Sequence, residues 1–263
     1  MSYSTIVVDR ADGITTLTLN RPDALNAMTT VMVEEISRVL DDIRDNRSAR
    51  VLLLTGSGRA FCSGLDISGD DKGREGMRVG DGMLLERLFN PLVERLYALP
   101  VPIVVAVNGP AVGAGFSVAL SGDFVVAASS AYFLLAFVKI GMVPDMGISW
   151  LLPRLCGRAR AQAIMMLGDR VSPQQAEDWG LIYKAVADAE LLTAARSIAE
   201  RLAKGPTTAY GLIRQGVRAS LEQGLSQTLW TERTHQRLAG RTADCEEGVT
   251  AFREKRPPLF TGK

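Results

Sequence analysis

The sequence predicts an α/β fold built around a parallel sheet, because short apolar runs alternate with segments of helical periodicity. Three such runs are too short for core helices and are flanked by turn residues, at positions 51–55, 103–107 and 124–128. Runs of this kind are typical of strands that are buried on both faces of a sheet. Because helical patterns separate them, they indicate parallel strands joined by helical crossovers.

The chain before these runs supplies one more strand and one amphipathic helix. Residues 14–19 read ITTLTL, which is typical of a strand, and the turn residues at 21–23 end it. The segment 30–44 repeats apolar residues at helical spacing. We expect Glu35 and its acidic neighbours to lie off this apolar stripe, on the solvent side of the helix.

The last third of the sequence is predicted to be mostly helical. Ser172-Pro173 is typical of a helix start, with serine as the N-cap and proline in the first turn. Gly180 ends that helix, and Gly205-Pro206 breaks the next one. We therefore predict a core at residues 1–200 followed by a helical region at 201–263.

A polar, glycine-rich segment at residues 69–82 is predicted to be a mobile loop between the sheet and the next helix. Two interpretations of this loop stay open. It is either a solvated connection or a wall over a bound ligand, because long loops often carry binding residues.

The composition argues against several classes of protein. Thirty basic residues against 29 acidic ones give a net charge of +1, so overall charge does not favour nucleic-acid binding. Three cysteines without a CxxC pair, and a start without a secretory leader, predict reduced thiols in the cytoplasm. The sequence contains no run of about 18 apolar residues, so we expect no helix that spans a membrane. His235 is the only histidine, so we expect neither a histidine-rich metal site nor a Ser-His-Asp triad.

Two glycine turns follow strands that would end at the same edge of the sheet. Residues 108–115 read NGPAVGAG and precede an apolar helix, whose first N–H groups point outward and carry partial positive charge. The second turn, at 59–67, follows the run 51–55. Because ligands bind at the carboxyl edge of parallel strands, the two turns could together offer two N–H donors to an oxyanion. Taken alone, the first turn is equally compatible with a tight strand-to-helix connection, and the second is more typical of a simple loop. The first is not a dinucleotide motif, because Val118 stands where a third glycine is needed.

Asp145 is the acidic residue that stands out next to these turns. It lies in the segment 141–149 among methionine, valine and isoleucine side chains. Apolar surroundings disfavour the charged carboxylate, so its pKa should rise toward a value that suits proton transfer. The alternative is that the Pro144-Asp145 pair forms a turn or a helix cap, which is a common use of these residues.

Together these segments resemble the enoyl-CoA hydratase/isomerase (crotonase) superfamily, and the resemblance covers essentially the whole chain. The motifs that carry it lie at 21–27, 60–66, 108–115, 123, 141–147, 168–176, 180–181 and 247–255. The resemblance implies a crotonase-like core of repeated ββα units and a helical C-terminal trimerisation region. It also implies an acyl-CoA thioester substrate, no separate cofactor because coenzyme A is part of the substrate, and a homotrimer or dimer of trimers.

The resemblance also implies which residues form the site. The oxyanion donors would be the backbone N–H groups of Leu65 and Ala114. The residues implied to contact the substrate or its coenzyme A portion are Ala24, Ser63, Asp66, Ile67, Phe252 and Lys255.

The departures from the family pattern indicate an isomerase. Hydratases of this family use two glutamates, which would fall at Ser117 and Phe137, and neither position is acidic here. Some family isomerases resemble this chain in placing an aspartate at the position of Asp145. The stretch 141–160 looks most like the ring isomerase of phenylacetate degradation. The predicted activity is therefore a double-bond shift, or rearrangement of a ring epoxide, by proton transfer through Asp145. The alternatives are a hydratase with another base and a non-catalytic relative that binds acyl-CoA or RNA.

A last prediction concerns the C-terminal segment. Phe252 and Lys255 are three residues apart, so on a helix they would share a face. Phe252 would cover the adenine of coenzyme A and Lys255 would pair with a phosphate, in the pocket of the same chain or of a neighbour. The alternative is a core phenylalanine beside a solvated lysine.

Overall fold

The computed structural model describes residues 3–68 and 82–263. Its strands are β1 (Ile6–Ala11), β2 (Ile14–Leu19), β3 (Val51–Gly56), β4 (Ile103–Val107), β5 (Ala111–Val112), β6 (Phe124–Ala128), β7 (Phe133–Leu134) and β8 (Lys184–Val186). Its helices are α1 (Thr30–Asn46), α2 (Asn90–Ala98), α3 (Ala114–Leu120), α4 (Ile148–Leu167), α5 (Pro173–Asp178), α6 (Leu191–Ala203), α7 (Thr207–Ser220), α8 (Leu225–Ala239) and α9 (Ala243–Glu254). The predicted loop at 69–82 lies outside the described residues except for Gly82.

Six strands form the central sheet in the order β1-β2-β3-β4-β6-β8. Only β1 and β2 run antiparallel in this sheet, and every other neighbouring pair is parallel. The predicted α/β class with a parallel sheet is therefore confirmed. The pattern of β3 and β4 explains why they were recognisable, because nearly all their side chains are buried.

Two strands of this sheet were not predicted. In β1 only Ile6 is buried, so this edge strand lacks both the apolar run and the alternation that identify a strand. The three-residue strand β8 pairs with β6 inside the part of the sequence that was predicted to be mostly helical. It is too short for its periodicity to be visible.

Helix α1 shows how the amphipathic pattern was right about the helix and wrong about one residue. The Thr29 hydroxyl caps the helix by accepting from Met32 N. Glu35, expected on the solvent side, is only 5% exposed. Its carboxylate accepts hydrogen bonds from the backbone and hydroxyl groups of Ser4 and Thr5. Burial by itself would raise the pKa of Glu35, but these bonds lower it overall.

The C-terminal helices begin after the sheet is complete. Helix α6 still packs across β3, β4 and β6, and it contains the predicted boundary at residue 200. It ends at Ala203, just before the predicted break at Gly205-Pro206, and α7 starts at Thr207. Large apolar side chains lie exposed on α7 and α8, namely Ile213, Val217, Leu225, Leu229 and Trp230. The predicted role of residues 201–263 in oligomerisation stays a prediction.

No helix among residues 3–68 and 82–263 combines the length and the apolar character that crossing a bilayer requires.

Candidate active site

The two glycine turns lie side by side at the carboxyl edge of the sheet. Strands β3 and β4 are parallel neighbours, so the segments that follow them leave from the same edge. Cys62 pairs with Ala111 in a parallel bridge, and Val112 N donates to Cys62 O at 2.8 Å. Burial raises the pKa of the Cys62 thiol to about 12, so this thiol is not a nucleophile at neutral pH.

Backbone hydrogen bonds fix the direction of the Leu65 N–H group. Met28 N donates to Gly64 O at 2.8 Å, and Asp66 N donates to Met28 O at 2.9 Å. Because the trans peptide plane holds Gly64 C=O and Leu65 N–H on opposite sides, the Leu65 N–H points away from Met28. A methyl group built on Gly64 would lie 3.8 Å from Ala114 N, which shows how close the two turns are.

The second donor is the first N–H group of α3. Gly113 precedes this helix with φ +53°, a left-handed value that favours glycine, and Gly113 N donates to Leu134 O at 2.8 Å. A methyl group on Gly115 would lie 2.4 Å from Cys62 O, so only glycine fits there. Within the described residues neither Leu65 N nor Ala114 N has an acceptor. Two neighbouring backbone N–H groups without acceptors are the kind of donors that can bind an oxyanion.

Asp145 lies in the loop that leads into α4, and the residue is half-buried. Its Oδ1 atom is buried and has no hydrogen-bond partner in the part of the chain that the structure describes. Burial raises the pKa of Asp145 to about 6. The N-cap of α4 is Gly147, and no side chain caps that helix. The Asp145 side chain therefore does not cap the helix, although its backbone oxygen begins a turn by accepting from Ile148 N at 3.2 Å. The turn and the raised pKa of the carboxyl group are both present.

Helix α3 connects Asp145 to the oxyanion turns. The hydroxyl of Ser117 lies 3.4 Å from the backbone oxygen of Asp145 and donates to it. Ser117 is three residues after Ala114, roughly 4.5 Å farther along the helix axis at about 1.5 Å per residue. The Asp145 backbone therefore runs beside the first turn of the helix whose N–H group forms part of the candidate oxyanion site.

Phe137 places an aromatic ring at the same turn. A methyl group on Gly113 would lie 3.6 Å from Phe137 Cζ and 3.9 Å from the Cα atom of Gly64. The ring is half-buried and packs against the core. Ser117 and Phe137, the positions where the resemblance places hydratase glutamates, thus hold a hydroxyl group and an apolar ring near the oxyanion turns.

The residues predicted around the turn at 59–67 are held together, mostly by backbone groups. Ser63 N donates to Leu25 O at 3.0 Å, and the Ser63 hydroxyl lies 3.4 Å from Ala24 O. Ile67 is 59% exposed.

Asp66 is buried, and its carboxylate binds Arg21 at 2.8 Å and the Ser68 hydroxyl at 2.6 Å. Burial works to raise the pKa of Asp66, but Ser68 and Arg21 lower it overall. The Asp66 side chain thus joins the loop at 21–28 to the oxyanion turn. Contacts of Ala24, Ser63, Asp66 and Ile67 with a substrate stay predictions.

Phe252 lies in a cleft that shares no lining residue with this site. Phe252 is 85% exposed, so it is not a core residue. It lines a cleft of about 490 Å³ with side chains of α7, α8 and α9, and no lining residue belongs to the oxyanion turns or the Asp145 loop. Helix α9 ends at Glu254, and Lys255 has φ +54°. The prediction that Phe252 and Lys255 share a helix face is therefore wrong.

Residues that sequence reasoning missed act through the backbone. Met28 aligns the Leu65 N–H group through its own N–H, and Cys62 joins both turns through its carbonyl group. Neither role depends on the chemistry of the side chain. The sequence therefore contains no signal for them apart from their place within the motifs.

Comparisons with known proteins identify the family and the fold. The profile of the enoyl-CoA hydratase/isomerase family matches residues 9–263. A relative from Escherichia coli (strain K12), 1,2-epoxyphenylacetyl-CoA isomerase, is 47% identical over 251 residues, which cover 95% of this chain and 96% of that protein. A relative from Rhodobacter capsulatus, named "Probable enoyl-CoA hydratase", is 41% identical and covers 100% of both chains. The solved structure of an enoyl-CoA hydratase from Bacillus anthracis has a TM-score of 0.91 at 32% identity, over 99% of this chain and 100% of that one.

Proposed function

The chain belongs to the enoyl-CoA hydratase/isomerase family, and from that premise we propose that it is an acyl-CoA isomerase with Asp145 as its acid–base residue. The family and the crotonase fold agree with the resemblance carried by the sequence motifs. The family includes both hydratases and isomerases, so the choice between these activities depends on the site.

In the proposed reaction the thioester oxygen accepts hydrogen bonds from Leu65 N–H and Ala114 N–H. The Asp145 carboxylate removes a proton from C2 of a 3-enoyl thioester, and the electron pair of that bond moves into a dienolate whose charge rests on the thioester oxygen. Two fixed donors stabilise this charge as it develops, which is where binding energy accelerates the chemical step. Asp145 then gives the proton to C4, and the double bond lies between C2 and C3.

The observation that carries this proposal is the buried, unpartnered Oδ1 of Asp145 beside α3. With a pKa of about 6, the carboxyl group is mostly ionised at pH 7 yet readily takes up a proton, as a residue that both accepts and returns one must. Addition of water would call for groups that hold and activate it. Ser117 and Phe137 offer no carboxylate for that purpose.

We extend the proposal to the rearrangement of a ring epoxide carried as a coenzyme A thioester, as in phenylacetate catabolism. The name of the Escherichia coli relative supports this substrate class. A hydratase remains the second candidate, because the Rhodobacter capsulatus relative carries that name.

The proposal assigns the nucleotide end of coenzyme A to Phe252 and Lys255. Since the cleft that Phe252 lines contains no residue of the oxyanion turns or the Asp145 loop, we place Phe252 and Lys255 in the site of a neighbouring chain within a homotrimer or a dimer of trimers. The exposed apolar side chains of α7 and α8 support an assembly through these helices. Coenzyme A enters as part of the substrate, and no further cofactor is assigned.

The test is to incubate the protein with 3-enoyl-CoA, 2-enoyl-CoA and a ring-epoxide thioester and to identify the products by mass and absorbance. An isomerase leaves the mass unchanged and shifts the spectrum. A product heavier by one water would support the hydratase instead, and no turnover of any thioester would contradict both.

A further inference from the structure

We propose that Phe137 is the residue that keeps water out of the site, so that Asp145 returns to the substrate the same proton it removed. This inference rests on the proposed isomerase activity and goes further, because it assigns a residue that decides between isomerisation and reaction with water.

The position of the ring carries the argument. The tip of Phe137 and the Cα atom of Gly64 both lie within 4 Å of the point where a Gly113 side chain would begin. The ring therefore stands where the two oxyanion turns meet, next to the space for the reacting end of a thioester. Because the ring is only half-buried against the core, part of it is free to face a bound acyl group.

The backbone of Phe137 also fixes the loop that leads to Asp145. Met142 N donates to Phe137 O at 3.0 Å, which anchors the start of the loop that carries the carboxyl group. Phe137 and Ser117 thus flank the first turn of α3, with the ring near Gly113 and the hydroxyl group on the Asp145 backbone.

Proton exchange with solvent requires a path from the carboxyl group to water. Asp145 Oδ1 is buried and, across residues 3–68 and 82–263, bonds to no side chain that could relay a proton. The Ser117 hydroxyl points to the backbone oxygen of Asp145. An apolar ring at the turn before α3 would narrow the space through which water reaches this carboxyl group once an acyl chain is bound, which also limits side reactions of the intermediate.

Two reactions with water become possible if the Phe137 ring is removed. Water that reaches protonated Asp145 replaces its proton with one from the solvent, and the product then carries a solvent proton at C4. Water can also add to the 2-enoyl product, with its oxygen bonding to C3 and a proton bonding to C2. Removing the Phe137 ring would leave space for more than one water molecule, since each water occupies about 30 Å³ in the liquid.

The experiment measures isotope and product composition with 3-enoyl-CoA in D₂O by mass spectrometry, for the wild type, Phe137→Ala and Phe137→Leu. We expect the wild-type product to contain little solvent deuterium. In Phe137→Ala we expect deuterium per turnover, or the ratio of water adduct to isomer, to rise at least about tenfold, equal to about 1.4 kcal/mol between the competing barriers. Leucine keeps an apolar side chain at this position, so Phe137→Leu should give an intermediate value.

Phe124→Leu is the matched control. Phe124 is also half-buried, and it stacks edge-on against Tyr183 with ring centroids 5.5 Å apart at the opposite end of the parallel strands. A purely structural effect of losing a phenylalanine would lower stability or rate in both proteins without changing deuterium per turnover. If Phe137→Ala does not fold, Phe137→Leu decides the comparison.

The outcomes separate the two proposals. A wild type that isomerises with full deuterium exchange overturns the role of Phe137 and leaves the isomerase intact. Phe137 variants that isomerise with unchanged exchange and no water adduct overturn it as well. A wild type that forms only the water adduct contradicts the isomerase proposal itself.

Discussion

Replacing Asp145 with asparagine should remove the acid–base group while changing the shape of the site very little. The amide is close in size to the carboxyl group but cannot carry a proton between two carbons. We expect turnover of 3-enoyl-CoA to fall by at least ~10²-fold, the lower end of the range for general acid–base catalysis. Binding of a saturated acyl-CoA ester, measured by calorimetry, should remain nearly unchanged.

The same substitution should change how stability depends on pH, with a sign set by burial. The pKa of Asp145 is about 6 in the folded chain against an ordinary value of 3.8. Below pH 3.8 the carboxyl group is protonated in both states and contributes no difference. Between 3.8 and about 6 the unfolded chain loses its proton first, so unfolding becomes progressively easier. Above about 6 this loss levels off, at an upper limit of roughly 3 kcal/mol because each pKa unit is worth about 1.4 kcal/mol.

The assay is denaturant unfolding of the wild type and Asp145→Asn at pH values from 3.5 to 8, with the wild type expected to lose stability relative to the variant only as the pH rises. Differences that do not depend on pH, such as the hydrogen bonding of the new amide, cancel in this comparison. Asp169→Asn, at an exposed position, serves as the control and should show neither effect. The wild-type kcat/KM should rise up to about pH 6 and then level off. Near-full activity of Asp145→Asn would refute its catalytic role, and a stability difference that is the same at every pH would refute the argument from burial.

Three further variants test the rest of the site. Ser117→Ala removes a long hydrogen bond of 3.4 Å, so it should cost no more than about 1 kcal/mol in unfolding free energy and change kcat little; a large loss of rate in a folded protein would reveal a role for the hydroxyl group. Gly115→Ala places a methyl group 2.4 Å from Cys62 O and should destabilise the protein by at least about 1–3 kcal/mol, as measured by thermal unfolding, with a wild-type Tm contradicting the close approach of the turns. Lys255→Ala should raise KM for coenzyme A thioesters, less so at high salt because ions already screen the phosphate contact, while KM for a pantetheine thioester stays constant; an equal rise for both substrates would exclude the phosphate contact.

The sequence by itself determined the elements whose signal is local. The buried runs at 103–107 and 124–128 were predicted as strands of a covered sheet, because short apolar runs flanked by turn residues are typical of such strands. The glycines at 113 and 115 likewise predicted a sharp backbone turn. The structure agrees, because a side chain would be strained at Gly113 and would collide with Cys62 O at Gly115. Asp145 was identifiable as a candidate because apolar residues surround it in the sequence itself.

Tertiary structure decided what these elements do together. Whether Asp145 caps a helix or carries an unpartnered carboxyl group depends on Met146 and Gly147, whose positive φ values delay the start of α4 to Ile148, three residues after Asp145. The direction of the Leu65 N–H group depends on the hydrogen bond that Met28 N donates to Gly64 O, 36 residues later in the chain. This bond joins distant parts of the chain, and the sequence carries no local trace of it.

The C-terminal segment shows the same division. The spacing of Phe252 and Lys255 predicted a shared helix face, but the helix ends between them and leaves Phe252 exposed beside other helices. A spacing rule holds only while the backbone stays helical, and the packing of the last turn decides where it stops. The sequence thus determined which chemical groups are available, because side-chain identity and local periodicity are properties of neighbouring residues. Their burial, direction and partners were decided by the tertiary structure, because those depend on residues that only folding brings together.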